Sequence, residues 1–338
     1  MSKRAGAALV NSGPAATTLV TGGAGYVGAV VVDELLATGR RVRVLDALIH
    51  DQSSVASSLS ERGADVMRGD VRELGARRAS LEGVDAVVHL AAIVGDPACA
   101  RDPETSYQVN VEATLGLVAD AEAAGVERFV FASTCSNYGR MANPTVPIDE
   151  DGELRPVSLY AEQKVQIERM LLSDHLGRVS STCLRFATVY GVAPRMRFDL
   201  TVNEFTRDLW AERRLEVFGE QFWRPYVHVR DAARAVVAAL VAPQNTAAKR
   251  VFNVGQTDEN YRKIEIVEEI RRQLGRGDVE YVHREEDPRD YKVSFERIRH
   301  VLGFEPTMTV PAGIAELVAA LEAEHFGDPF ESRYRNTP

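Results

Sequence analysis

Apolar residues in the first half of the chain come in short, continuous runs rather than in alternation. Three such runs, at residues 86–91, 129–133 and 182–186, read as strands buried on both faces, and 18–21, 41–46 and 65–70 read as three further strands. Helical periods separate them, among them 29–38 and 111–124, the second closed by Gly125 as a C-cap. Alternating strands and helices predict an α/β fold, a doubly wound parallel sheet with helices on both faces. From about Met196 the pattern loosens. Helices are expected over 201–213, 232–241, 262–274 and 311–324, with Pro194, Pro225, Pro243, Pro288 and Pro306 in the loops between them. This reads as a smaller, loop-rich C-terminal lobe over one edge of the sheet. The divisions expected are a disordered tail over 1–16, a nucleotide-binding domain over 17–192 and a lobe over 193–326, some of whose segments return to the first domain. Residues 327–338 are expected to form a mobile tail.

The first strand runs straight into Thr21-Gly22-Gly23-Ala24-Gly25-Tyr26-Val27-Gly28, and a helical segment follows at once. Strand, tight glycine turn and helix start form a phosphate site. Glycine permits close backbone approach, and a helix N-terminus offers N–H groups and a positive dipole end. The second strand ends in Asp46, about 20 residues on, where a ribose-binding carboxylate is expected.

Composition narrows the partners. The chain has 338 residues, 45% hydrophobic and 26% charged, with a net charge of −9. An acidic balance argues against general affinity for nucleic acid or anionic membranes. No apolar run reaches the ~18 residues of a membrane span. Cys99, Cys135 and Cys183 have no zinc spacing, so no metal site is expected. Unpaired cysteines and the absence of a targeting pattern suggest the cytoplasm.

A second candidate centre is Tyr160-Ala-Glu-Gln-Lys164. Tyrosine and lysine four apart share one helix face, with Ser158 as a plausible N-cap. The lysine can stabilise a phenolate, which lets the tyrosine exchange protons near neutral pH. Phe131-Ala-Ser-Thr-Cys-Ser-Asn-Tyr-Gly139 places Ser133, Thr134 and Ser136 at the C-terminal end of a sheet strand, where open α/β sheets bind ligands.

Taken in order, the glycine turn, Asp46, Gly69-Asp70-Val71, His89-Leu-Ala-Ala92, Asn110, the Ser133–Gly139 run and Tyr160-x-x-x-Lys164 resemble the extended short-chain dehydrogenase/reductases. Within these the chain resembles the NAD-dependent nucleotide-sugar epimerase/dehydratase family, over roughly residues 17 to 325. The resemblance implies a Rossmann-type domain with NAD as cofactor and a nucleotide-diphosphate sugar as substrate. Gly22, Gly25 and Gly28, with Tyr26 and Val27, would cradle the NAD pyrophosphate. Asp46 would take the adenosine ribose and favour NAD over NADP. Asp70 and Val71 would flank adenine. Leu90, Ala91 and Ala92 would line the path to the nicotinamide ribose, with Asn110 and Ser133 also on the cofactor side. Lys164 would bond that ribose, Thr134 the reacting sugar oxygen, and Tyr160 would be the acid–base. Arg224, in an R-x-Y-x-H-V-x-D-like segment, and Arg289 would contact the substrate diphosphate. Thr188 and Val217 would lie against the sugar and the base. His228 is expected to have a structural role, and His89 reads as either a cofactor neighbour or a packed core histidine. Residues 109–124 and 160–172 carry apolar residues beyond one stripe, and the family implies a homodimer through a four-helix bundle.

Three reactions of the family compete. Its 4,6-dehydratases and decarboxylases carry acids just after the threonine, where this chain has Cys135 and Ser136, so both are discounted. A C4 epimerase and a 4-ketoreductase need the same residues and differ in whether the cofactor is retained. Asp46, by selecting NAD, favours the epimerase. Thr188 replaces an asparagine common in the family, Val94 a basic residue of the galactose epimerases, and the run 194–200 is rich in arginine. A non-sugar substrate and a non-catalytic NAD sensor stay open, although a sensor is expected to lose Tyr160 or Lys164.

Overall fold

The computed structural model describes residues 16–141, 146–173, 177, 179–284 and 289–336; residues 1–15 of the expected N-terminal tail lie outside them. Twelve strands run in chain order: β1 Thr17–Thr21, β2 Arg41–Asp46, β3 Asp65–Arg68, β4 Ala86–His89, β5 Arg128–Thr134, β6 Ser180–Phe186, β7 Thr188–Tyr190, β8 Leu215–Phe218, β9 Trp223–His228, β10 Arg250–Val254, β11 Asn260–Arg262 and β12 Val279–Val282. Seven of them form one sheet in the order β10-β6-β5-β4-β1-β2-β3. Every pairing in it is parallel.

Successive residues of a strand point to opposite faces, and here both faces are buried. Leu19, Leu45, Val87, Phe129 and Cys183 face one apolar cluster. Their neighbours Val20, Val44, Val88, Val130 and Leu184 face another, filled by the helices Tyr26–Ala37 and Val229–Val241. Continuous apolar runs are the consequence.

Six strands of this sheet coincide with the expected runs. The seventh, β10, comes from the lobe and pairs with β6 from Arg250↔Thr182 to Val254↔Phe186. The lobe adds, together with β7 from the end of the first domain, a three-stranded sheet, β11-β9-β7, and by itself the pair β12-β8. Its helices Thr201–Trp210, Val229–Val241, Lys263–Leu274 and Val310–Glu322 lie near their expected positions.

The end of the chain departs from expectation. Residues 327–336 are packed against the lobe. Phe198 N–H donates to Tyr334 O at 2.9 Å, and the rings of Phe198 and Tyr334 lie 5.6 Å apart. The Arg213 guanidinium sits 3.5 Å over the Phe330 ring. Aromatic burial and cation–π contact hold what charge alone would leave loose. Among the described residues no helix is long and apolar enough to cross a membrane.

Candidate active site

β1 ends at Thr21 and the chain turns sharply. Gly22 takes a φ of +70°, and a Cβ there would fall 2.8 Å from the Ala91 backbone nitrogen. A Cβ at Gly28 would lie 2.1 Å from the Gly22 carbonyl oxygen. Both positions therefore exclude a side chain, and the turn can press against whatever fills the cleft. The helix Tyr26–Ala37 begins here with Gly25 as N-cap, no side-chain cap and no acid in its first turn, so no carboxylate competes with an anion for its N–H groups.

Asp46, at the end of β2, is 7% exposed. It accepts from Ala24 N–H and Leu48 N–H, each at 2.9 Å. Burial pushes its carboxyl above the usual range, against the pull of these N–H groups and of Arg195.

Gly22, Gly25, Tyr26, Val27, Gly28, Asp46, Asp70, Val71, Leu90, Ala91 and Ala92 line one cleft of about 340 Å³. A second cleft of about 470 Å³ continues from it, sharing Tyr26, Val27, Leu90, Val94, Arg197 and Asn336. Both volumes fall in the range of small-molecule sites. The second cleft is lined by Ser133, Thr134, Ser136, Tyr160, Lys164, Thr188, Arg224, Arg289 and Tyr291, among others.

Strand β5 and the helix Leu159–Leu172 build its chemistry. Thr134 ends β5, and its hydroxyl oxygen accepts from Ser136 N–H at 3.1 Å, which leaves the hydroxyl proton to donate. The Ser158 hydroxyl caps the helix at Ala161 N–H (3.3 Å) and donates to Asp96 at 2.6 Å. Tyr160 and Lys164 follow on one face. The Lys164 ammonium donates to Ala132 O at 2.8 Å, tethering the helix to β5, and lies 5.8 Å from the centre of the Tyr160 ring. Burial lowers Lys164 to about 8 and pushes the Tyr160 phenol up, Arg197 pulling against that rise. At neutral pH the pair is thus a cation beside a neutral phenol, an arrangement suited to moving one proton.

Other expected residues take different places. Asn110 stands one layer behind the cleft, in a widened helical turn at Gln108–Glu112. It accepts from Ile93 N–H at 2.8 Å and donates to Ile93 O at 3.0 Å, so it shapes the cleft wall instead of lining it. The Ser133 hydroxyl turns inward to Glu168 at 2.8 Å. Val217 does not reach the cleft, a correction to the expected base pocket. On β8, Leu215 and Val217 point into the core, and the period of two sends Glu216 and Phe218 outward. Arg224 donates to its neighbour's carbonyl, Trp223 O, at 2.7 Å, and Arg289 pairs with Asp96 at 3.0 Å.

His89 is a packed core histidine. It bonds Thr21 at 2.7 Å and Thr114 at 2.8 Å, and burial lowers it to about 3, so it stays neutral. His228 caps the helix Val229–Val241 and reaches Glu316 at 2.7 Å, a structural role. Further residues line the cofactor-side cleft without a sequence-based assignment, among them His50, Gln52, Arg72, Arg195, Arg197 and Asn336. The arginine-rich run 194–200 was the signal for two of them.

Residues 18–255 match the NAD dependent epimerase/dehydratase family. The chain belongs to that family. Its cofactor is NAD, and the side-chain-free glycine turn, the uncapped helix start and Asp46 fit that dinucleotide. Among relatives of this family member, the UDP-glucose 4-epimerase of Lactobacillus helveticus is 30% identical over 311 residues, 85% of this chain and 91% of the relative. The dTDP-glucose 4,6-dehydratase of Streptomyces griseus is 31% identical over 312 residues, covering 89% and 92%. The crystal structure of UDP-glucose 4-epimerase with UDP-glucose from Thermotoga maritima superposes with a TM-score of 0.80 at 27% identity, over 91% of this chain and 99% of that one.

Proposed function

We propose that this protein is a nucleotide-sugar epimerase that inverts C4 of the sugar through a transient 4-keto sugar. One observation carries the reading: the second cleft combines Thr134, Tyr160 and Lys164 with no uncommitted carboxylate among its described residues. Its two acids are Asp96, held by Arg289 and Ser158, and Asp199, held by Arg197 at 2.8 and 2.9 Å. Behind Thr134, the Cys135 thiol turns inward to Arg185 O at 3.2 Å, and burial pushes it up, away from thiolate chemistry. Elimination of water is served by a carboxylic acid that protonates the leaving hydroxyl, and among its described residues this cleft offers no uncommitted one.

Gly22, Gly25, Tyr26, Val27 and Gly28 hold the dinucleotide's diphosphate, Asp46 its adenosine ribose, and Asp70 and Val71 its adenine. Leu90, Ala91, Ala92 and Lys164 flank the other ribose, with Asn110 and Ser133 supporting the wall. Bound NAD supplies an acceptor, and then a donor, for the hydride of the sugar carbon. Tyr160 acts as the base only in its phenolate form: once its own proton has gone to solvent, its oxygen receives the C4 hydroxyl proton and later returns it. The Lys164 ammonium lowers the cost of the phenolate, and the Thr134 hydroxyl donates to the sugar oxygen. Arg224 and Arg289 bind the substrate diphosphate, with Thr188 against the sugar.

The domain reading goes with this: residues 17–192 carry NAD, and 193–326 the nucleotide sugar. A homodimer through the helices around 109–124 and 160–172 is part of the proposal, supported by the exposure of Tyr107 (41%) and Leu115 (39%) on that side. So is the cytoplasm, supported by three buried, unpaired cysteines.

The deciding experiment is chromatography with mass spectrometry of nucleotide sugars before and after incubation. UDP-glucose comes first because the relatives carry its name. Epimerisation gives a new retention time at unchanged mass, without added cofactor. A product lighter by one water, or conversion only when a reduced cofactor is added, overturns the reading. Asp46→Ala is expected to weaken NAD about tenfold or more, the scale of a hydrogen bond to a charged group, and NADP less. An unchanged ratio of the two affinities, measured by titration, contradicts the ribose assignment.

A further inference from the structure

The proposed reaction leaves the arginines of residues 194–200 without a task. Arg195 is 6% exposed and lines the cofactor-side cleft. Its one hydrogen bond to the described residues runs from Nη2 to Arg335 O at 3.2 Å, and its buried Nε has no partner among them. No described carboxylate pairs with it. Two acids, Asp46 and Asp199, attract it, but each is engaged elsewhere: Asp46 with two backbone N–H groups, Asp199 with Arg197. Arg197 adds repulsion, and burial lowers Arg195 to about 10, which leaves it a cation at neutral pH. A buried cation without an anion is costly. A guanidinium tolerates such a place where a phosphate or carboxylate completes it.

The segment is registered against the glycine turn. The Tyr26 hydroxyl, one residue past Gly25, donates to Gly191 O at 2.7 Å. The Asn203 amide nitrogen donates both to that hydroxyl (3.2 Å) and to Arg197 O (2.9 Å), and Asn203 Oδ1 accepts from Gly191 N–H at 2.9 Å. From behind, Asn336 N–H donates to Asp199 at 3.1 Å, so the packed C-terminal residues brace the same segment.

We propose that Arg195 is a phosphate ligand of the bound dinucleotide, donating from the lobe to the diphosphate that the glycine turn receives from the sheet. The inference rests on the cleft holding NAD. Its test is titration of the nucleotide-free full-length protein with NAD⁺, NADP⁺, ADP and adenosine. For Arg195→Gln, the dissociation constants of NAD⁺ and ADP rise by one common factor, about tenfold or more, and adenosine is unaffected. Arg195→Lys, which keeps the charge but loses the fork, recovers part of the loss. The thermal midpoint of nucleotide-free Arg195→Gln is at or above that of the parent, because an uncompensated buried charge has gone. Unchanged NAD⁺ and ADP affinity in a folded Arg195→Gln, or equal losses for ADP and adenosine, overturns the proposal. So does a loss confined to NADP⁺, which assigns Arg195 to a 2′-phosphate. Should Arg195→Gln not fold, full NAD⁺ affinity in Arg195→Lys overturns it. A parent chain that binds none of the dinucleotides overturns the cofactor reading as well.

Discussion

Tyr160→Phe is expected to lower turnover by roughly 10²- to 10⁴-fold, the usual worth of a positioned acid–base group, while NAD binding and thermal stability stay those of the parent. The separation is sharp because the Tyr160 hydroxyl makes no hydrogen bond to the described residues. Its removal costs the fold nothing, and the ring that packs beside Lys164 remains. The effect should lie in kcat, since the lost interaction forms in the transition state. A variant with near-parental kcat overturns the assignment of the acid–base, whatever the substrate proves to be.

Glu168→Ala is expected to cost about 3–5 kcal/mol of stability, the toll of breaking a buried ion pair by removing one partner. Glu168 sits behind the Ser133–Thr134 turn. Arg185, almost wholly buried, holds its two carboxylate oxygens from Nε at 3.1 Å each and reaches Oε1 again through Nη2. Ser133 donates to the same carboxylate at 2.8 Å, and Arg185 donates onward to Tyr138 at 2.8 Å. Losing the carboxylate strands a guanidinium in the core and frees the serine that precedes Thr134. Urea denaturation reads the stability loss, and kcat should fall with it because Thr134 is no longer held. A loss below about 1 kcal/mol, the scale of an exposed pair, contradicts the buried-pair account.

The centre of the fold was legible because its signals are local. A strand buried on both faces writes itself as an apolar run, and β4 and the middle of β5 do so, whereas β2 alternates arginine with valine before Asp46. Tyr160 and Lys164 share a face by helix geometry alone, and Gly22 and Gly28 announce a backbone that no side chain may crowd. What stayed hidden depends on partners far along the chain. Nothing within Arg250–Val254 tells that it closes the sheet against β6. Val217 and Phe218 are neighbours in sequence, and only the pairing of β8 with β12 decides which faces inward. Arg195 reads as a surface charge until the segment around it is seen buried. The packed end had a signal that was passed over: Phe326, Phe330 and Tyr334 are three large rings in an otherwise polar stretch, and Phe198, Arg207 and Arg213 receive them.

That packed end sets an order of assembly. The glycine turn leaves the ribosome before the other parts of the groove. The backbone groups of Arg335 and Asn336, which brace the other wall of the same groove, emerge only after every strand of the central sheet. A nascent chain can therefore complete its sheet and still lack a finished groove. Domains fold as units during synthesis while distant contacts wait for their partners. Tight capture of the dinucleotide then belongs to the last stage of maturation, and a chain stalled shortly before residue 330 should carry a folded sheet with a leaky cofactor.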